Sequence, residues 1–189
     1  MTREGHRSRI IFPSATRENV WRCELAQVDE LLDVMQKTVG QEQGPFTCEV
    51  DKGMMMKIPW AVGDPNPLWR DEHYARQTRY GGLVASPYFV EFLRFRGLSD
   101  YGRTTARPGT PLPGRPANVV GGEEVEYFNT IRPGDVITVS RRTTDVKKRW
   151  SKSLERDVVV ETLEQSFTNQ FGELVATHKS TNIKILPKA

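Results

Sequence analysis

Residues 61–89 read AVGDPNPLWRDEHYARQTRYGGLVASPYF, and the fold turns on this run. Its first part, Gly63-Asp64-Pro65-Asn66-Pro67-Leu68-Trp69, predicts a rigid turn. Two prolines fix φ there, and Asp and Asn side chains bond their own backbone two residues on. A carboxylate held in such a turn has little freedom to lose, which suits general acid–base work. Asp64 and Asn66 are therefore the first candidate catalytic residues. The plainer reading is that both side chains only cap backbone N–H groups of the turn. Asp71 to Gln77 predicts a short polar helix with Asp71 as its N-cap. Ser86-Pro87 opens a further helix, because Ser is a favoured N-cap and Pro is favoured at the first helical position. Phe89, Phe92, Leu93 and Arg96 follow at helical spacing, with Tyr88, Val90 and Phe95 on other faces and Gly97 as a stop. A helix apolar on most sides is buried.

Upstream, Val28, Leu31, Leu32, Met35 and Val39 recur at helical spacing and predict an amphipathic helix over Ala26 to Val39. That helix belongs to an extension covering residues 1–43, whose first twenty or so residues read as loosely ordered. GPFTCEV (44–50) predicts a strand, and Met54 to Val62 a short helix disturbed by Pro59. Met54, Met55 and Met56 read as core filler. Downstream, residues 98–118 are rich in Pro and Gly and predict a long loop, a lid or rim. Strands follow over Glu124 to Phe128, Val136 to Val146, Asp157 to Thr168 and Glu173 to Leu186, with turns at RPGD (132–135) and at 169–172. Lys147, Lys148, Arg149 and Lys152 read as a basic turn between strands. Glycines 121 and 122 match no phosphate-loop template. A strand, then helices, then several antiparallel strands define an α+β domain with helix packed on one face of a curled sheet.

The chain has 189 residues, of which 37% are hydrophobic and 27% charged, with a net charge of +3. This suits one ordinary soluble domain, and the charge is too weak to argue for nucleic acid. It also suits an anionic small ligand. The two cysteines, Cys23 and Cys48, have no metal or CxxC spacing, so a reducing compartment, the cytoplasm, is expected. The opening MTREGHRSRIIF carries no apolar stretch of a signal peptide, and no segment approaches the roughly 18 apolar residues of a membrane span. No metal constellation or redox cofactor motif is visible.

Three segments, 61–89, PLPGRPANVVGGEEVEYFNTIRPGDVITVSRRTTDV (111–146) and TNQFGELVATHKSTN (168–182), resemble the MaoC-like dehydratases, which include the R-specific enoyl-CoA hydratases and the N-terminal halves of larger hydroxyacyl dehydratases. The resemblance covers residues 44 to about 185. It implies a single hot-dog domain over 44–189, an antiparallel sheet wrapped around a long central helix, with Ser86 to Arg96 as that helix. It also implies hydration of trans-2-enoyl thioesters or dehydration of 3-hydroxyacyl thioesters, the acyl group carried on coenzyme A or acyl carrier protein, with no further cofactor. In that family an Asp and a His share the catalytic water. A backbone N–H at the start of the central helix stabilises the thioester oxyanion.

The family motif, Asp-x-Asn-Pro-x-His, matches Asp64, Asn66 and Pro67, but Trp69 stands at the histidine position. Indole has a donor N–H and no basic nitrogen, so it cannot exchange the proton. An ungapped match puts Pro87 where hydratases carry the oxyanion-hole glycine, and proline has no N–H to give. Losing one such donor alone costs on the order of 10²–10³ in rate. The expected role is therefore the substrate-binding half of a hydro-lyase, paired with a hot-dog subunit that keeps the Asp–His motif. Trp69, Arg79, Tyr80, Gly82, Ser86, Pro87 and Tyr88 are the candidate substrate-binding residues, and Trp60 and Phe89 add aromatic surface. One alternative is a self-sufficient homodimeric hydratase in which Asp64 works with an unusual partner such as His73. Another is a non-enzymatic acyl-thioester binding or scaffold protein, and a thioesterase on the same fold rests on analogy alone. His6 and His178 show no supporting neighbours in the sequence.

Overall fold

The computed structural model describes residues 17–94 and 116–187, with side chains described from Gln27 onward. Five antiparallel strands form one sheet in the order β1-β3-β4-β5-β2. These are β1 Glu42–Glu49, β2 Ala117–Tyr127, β3 Val136–Ser151, β4 Arg156–Thr168 and β5 Leu174–Ile185. The helices are α1 Arg17–Gln36, α2 Lys52–Ala61, α3 Glu72–Arg76 and α4, described over 88–94. The α+β expectation holds.

Period-two alternation decides which face of the sheet is covered. On β4, Val159, Glu161, Leu163, Gln165 and Phe167 are all buried and share one face. Phe167 packs with Phe89, Val90 and Leu93 of α4, together with Ile137, Val139 and Val175. Val159 packs instead with Val28, Leu31 and Met35 of α1, plus Val146 and Leu186. Two helices thus cover opposite ends of the same face. Between them lies a buried polar band holding Glu161, Gln165, His178, Ser180, Asn182 and Lys184.

Helix α1 begins at Arg17 rather than Ala26, since the preceding residues include good helix formers although they lack the apolar period. It ends before Val39, where Thr38 turns its hydroxyl onto the Met35 carbonyl (2.7 Å) and Gly40 takes φ +79°. Helix α2 runs through Pro59, begun by Asp51, whose carboxylate accepts from the Met54 N–H at 2.9 Å. Met55 is core, as expected of that run. The basic turn is a correction. Lys147, Lys148 and Arg149 lie in β3, which continues to Ser151, and the turn falls at 152–155. The strand persists because α1 covers Val146 and Val159 at this end, and Lys148 pairs with Asp29 of α1 at 2.6 Å. The segment 98–118 lies outside the described residues up to 115, and β2 begins at Ala117.

Candidate functional site

The end of α2 delivers the candidate turn. Gly63, at φ +72°, sits just past the Val62 C-cap, its N–H on the Trp60 carbonyl (3.2 Å) and the Asp64 N–H on the Pro59 carbonyl (2.8 Å). This pair of bonds is the Schellman termination, which requires a left-handed residue that glycine supplies without strain. Asp64 then spends both carboxylate oxygens locally. Oδ1 accepts from the Asn66 N–H at 3.0 Å, and Oδ2 accepts from the Trp69 indole Nε1–H at 2.9 Å. Asn66 repeats the device, its Oδ1 accepting from the Leu68 N–H at 3.0 Å. Trp69 packs beside Leu68, Ala75, Leu83 and Val84. At the position of the family's histidine, the indole thus donates its only proton to the carboxylate that a hydratase would use as base.

Trp69 is also a wall of a pocket of about 190 Å³ at the start of α4. Tyr80, Ser86, Pro87 and Val90 line it from the same stretch of chain, with Tyr127, Ile131 and Val175 opposite. Of the sequence candidates, Trp69, Tyr80, Ser86 and Pro87 therefore meet around one cavity. Arg79 is exposed, stacks over the Tyr80 ring (4.9 Å) and donates to its hydroxyl (2.8 Å). Gly82 and Tyr88 do not line the cavity, and Tyr88 is half exposed. Trp60 is exposed and Phe89 is core, so neither joins the site. The Pro87 carbonyl accepts from the Tyr127 hydroxyl at 3.1 Å, which pins the start of α4 to the end of β2. Burial, with Glu91 and Tyr88 nearby, pushes that phenol up. Ser86 does not cap α4 through its side chain: its carbonyl accepts from the Phe89 N–H (2.9 Å), while its buried hydroxyl has no partner among the described residues. His73 is exposed and bonded to the Gln77 side chain at 3.0 Å, and it does not line the cavity.

A second cluster escaped the sequence reading. His178, without supporting neighbours in the sequence, is completely buried on β5. Its Nε2 lies 3.7 Å from a carboxylate oxygen of Glu91 on α4 and 3.7 Å from one of Glu123 on β2. Arg94 bridges the same two carboxylates, at 2.7 Å and 3.2 Å. Burial pulls the imidazole below its ordinary range, reinforced by Arg94 and Arg141 and opposed by the two glutamates. Glu91, Glu123 and His178 offer ligand atoms within 4.8 Å of one another, although the Arg94 guanidinium already answers both carboxylates. Strand register, with His178 opposite Val125 of β2 and Gln165 of β4, and the packing of α4 on the sheet together assemble these residues. The three-residue step from Glu91 to Arg94 was the one signal in the sequence.

A curled five-stranded sheet on a central helix, with an Asp-x-Asn-Pro turn beside the helix start, defines a hot-dog domain of the MaoC-like class. The chain belongs to the family described as FAS1-like, dehydratase domain region, whose model matches residues 37–178. It is 31% identical to a UPF0336 protein of Thermobifida fusca over 70% of this chain and 81% of that one. It is 27% identical to a probable enoyl-CoA hydratase alpha subunit of Thermomonospora curvata, over 68% of this chain and 42% of the relative. Among solved structures, the MaoC-like dehydratase of Rhodospirillum rubrum superposes with a TM-score of 0.61 at 24% identity, covering 80% of this chain and 94% of that one. The ChsH1-ChsH2 complex of Mycobacterium tuberculosis gives 0.63 at 17% identity, covering 86% and 98%.

Proposed function

We propose that this chain is the substrate-binding half of a hydro-lyase that hydrates trans-2-enoyl thioesters or dehydrates 3-hydroxyacyl thioesters. Its partner is a hot-dog subunit with an intact Asp–His motif. The observation that carries this reading is the Asp64–Trp69 bond at 2.9 Å, with the other Asp64 oxygen on the Asn66 N–H. A carboxylate held by two internal donors, beside an indole with no basic nitrogen, lacks the imidazole with which the family's aspartate shares its water. Pro87 adds no N–H for an oxyanion. The exposed His73 offers Asp64 no substitute. What remains is a mainly apolar pocket suited to an acyl group, carried on coenzyme A or acyl carrier protein.

The partner is supported by the edge strand β2, eleven residues long and exposed except at Val125, with Val119, Val120 and Tyr127 about half exposed, as is Phe128 just beyond it. A long edge strand with no partner on its outer side is a template for pairing with another strand. One relative is named an alpha subunit, and one structural neighbour is a two-protein complex. The cytoplasm is the proposed setting, on cysteine usage. The test is size-exclusion chromatography of the chain co-expressed with Asp–His hot-dog chains from the same source. A stable complex with one of them is expected, and a lone monomer or homodimer in every combination would count against the reading.

A further inference from the structure

We propose that Glu91 of α4, Glu123 of β2 and His178 of β5 hold one divalent transition-metal ion, of the zinc class, with a fourth position left to water. None of the three lines the pocket at the start of α4, and the site does not depend on the role proposed above. Two neighbouring glutamates are no site in themselves. What points to an ion is the imidazole that faces both. His178 is completely buried, and neither ring nitrogen has a hydrogen-bond partner among the described residues. A buried polar side chain in that condition is rare and costly. Its Nε2 lies 3.7 Å from Oε1 of Glu91 and 3.7 Å from Oε1 of Glu123, too far for a hydrogen bond to either. Around a tetrahedral zinc ion with bonds of about 2.0–2.1 Å, neighbouring ligand atoms stand about 3.3–3.4 Å apart. The observed spacing is that of ligands about a common ion, slightly opened.

All three ligand atoms lie within 4.8 Å of one another. Strand β5 fixes the imidazole between its neighbours β4 and β2. The glutamates are longer and freer, with 30% and 33% of their side chains exposed, so they can close on an ion and give it a way in. Arg94 shares the space, and its bonds leave room. It takes Oε2 of Glu91 at 2.7 Å and leaves Oε1 to face His178. On Glu123 it meets the shared Oε1 at the longer distance of 3.2 Å, and the second oxygen of that carboxylate offers it an alternative. A guanidinium on the oxygens that do not ligate orients the ones that do. Arg94 and Arg141 also bring positive charge, so binding should be weaker than at an all-anionic site. Burial keeps the imidazole neutral, which is the form that ligates. One imidazole with two carboxylates suits zinc, whereas calcium and magnesium take all-oxygen shells of six or more.

The experiment strips the full chain with a chelator and titrates it with zinc chloride by calorimetry, then with cobalt(II) by visible absorption. One zinc per chain is expected, with a higher melting temperature and the intense cobalt bands of a four-coordinate ion. His178→Gln and Glu123→Gln should each weaken zinc by more than about tenfold, and His73→Ala, at an exposed histidine, should change nothing. Glu123 is exposed, so its variant separates loss of a ligand from loss of the fold. Wild type that binds no zinc, zinc binding unaltered in both ligand variants, or the weak spectrum of six-coordinate cobalt would overturn the proposal.

Discussion

Deleting the indole N–H at position 69 probes the bond on which the reading of Asp64 depends. Trp69→Phe keeps a ring against Leu68, Ala75, Leu83 and Val84 and removes the donor that meets Asp64 Oδ2 at 2.9 Å. A hydrogen bond to a charged group contributes about 1.5–3 kcal/mol, and both residues are only partly buried, so a loss near 1.5 kcal/mol is expected. With a urea m-value of about 2 kcal/mol/M, the unfolding midpoint should fall by about 0.7 M. Smaller ring volume adds an unrelated loss, so the informative quantity is the coupling in a cycle with Asp64→Ala. That coupling should be about 1–2 kcal/mol, well above the roughly 0.5 kcal/mol seen between independent sites. Additive losses would mean that the indole and the carboxylate do not hold each other, and Asp64 would be open again as a base.

Three further outcomes follow from the same geometry. Leu31→Ala, at a completely buried position on α1, should cost about 2–5 kcal/mol in denaturant unfolding; a near-zero effect would show that α1 does not pack on the sheet. Gly63→Ala puts a side chain at φ +72°, where no neighbour obstructs a Cβ, so the cost should be the conformational one of about 1–2 kcal/mol, measured the same way. His178, faced by Glu91 and Arg94 from α4, Glu123 from β2 and Arg141 from β3, is held below its unfolded value of 6.5. Its neutral form therefore contributes stability that is present above pH 6.5 and lost as pH falls through the lower folded value. The slope is at most about 1.4 kcal/mol per pH unit, and melting curves of His178→Gln should be flatter than wild type between pH 7 and 5.

Much of the fold was legible because its signals are local. Alternation marked β4 and β5, Asp71 announced its cap by type, and the apolar spacing of Phe89, Phe92 and Leu93 marked a buried helix. The extent of β3 was not legible. Lys147 to Arg149 look like a turn until α1 is placed over Val146, and that contact joins residues far apart in the chain. At the site, the rigidity of Asp64-Pro65-Asn66-Pro67 could be read from the residues themselves, whereas the imidazole missing at Trp69 showed only against the motif of the family that the chain resembles. Two facts needed coordinates: that the indole returns to Asp64, and that Ser86 leaves its hydroxyl unbonded among the described residues. The His178 cluster needed strand register, which hydrophobic pattern alone does not give.

The most direct test is hydration of a panel of trans-2-enoyl-CoA thioesters, followed by loss of the conjugated enoyl absorbance, with the chain alone and with its Asp–His partner. No turnover is expected alone. Turnover is expected from the pair, and it should be abolished by replacing the partner's motif histidine while surviving Asp64→Asn in this chain. Turnover by the chain alone that vanishes in Asp64→Asn would contradict the central claim and make Asp64 the base.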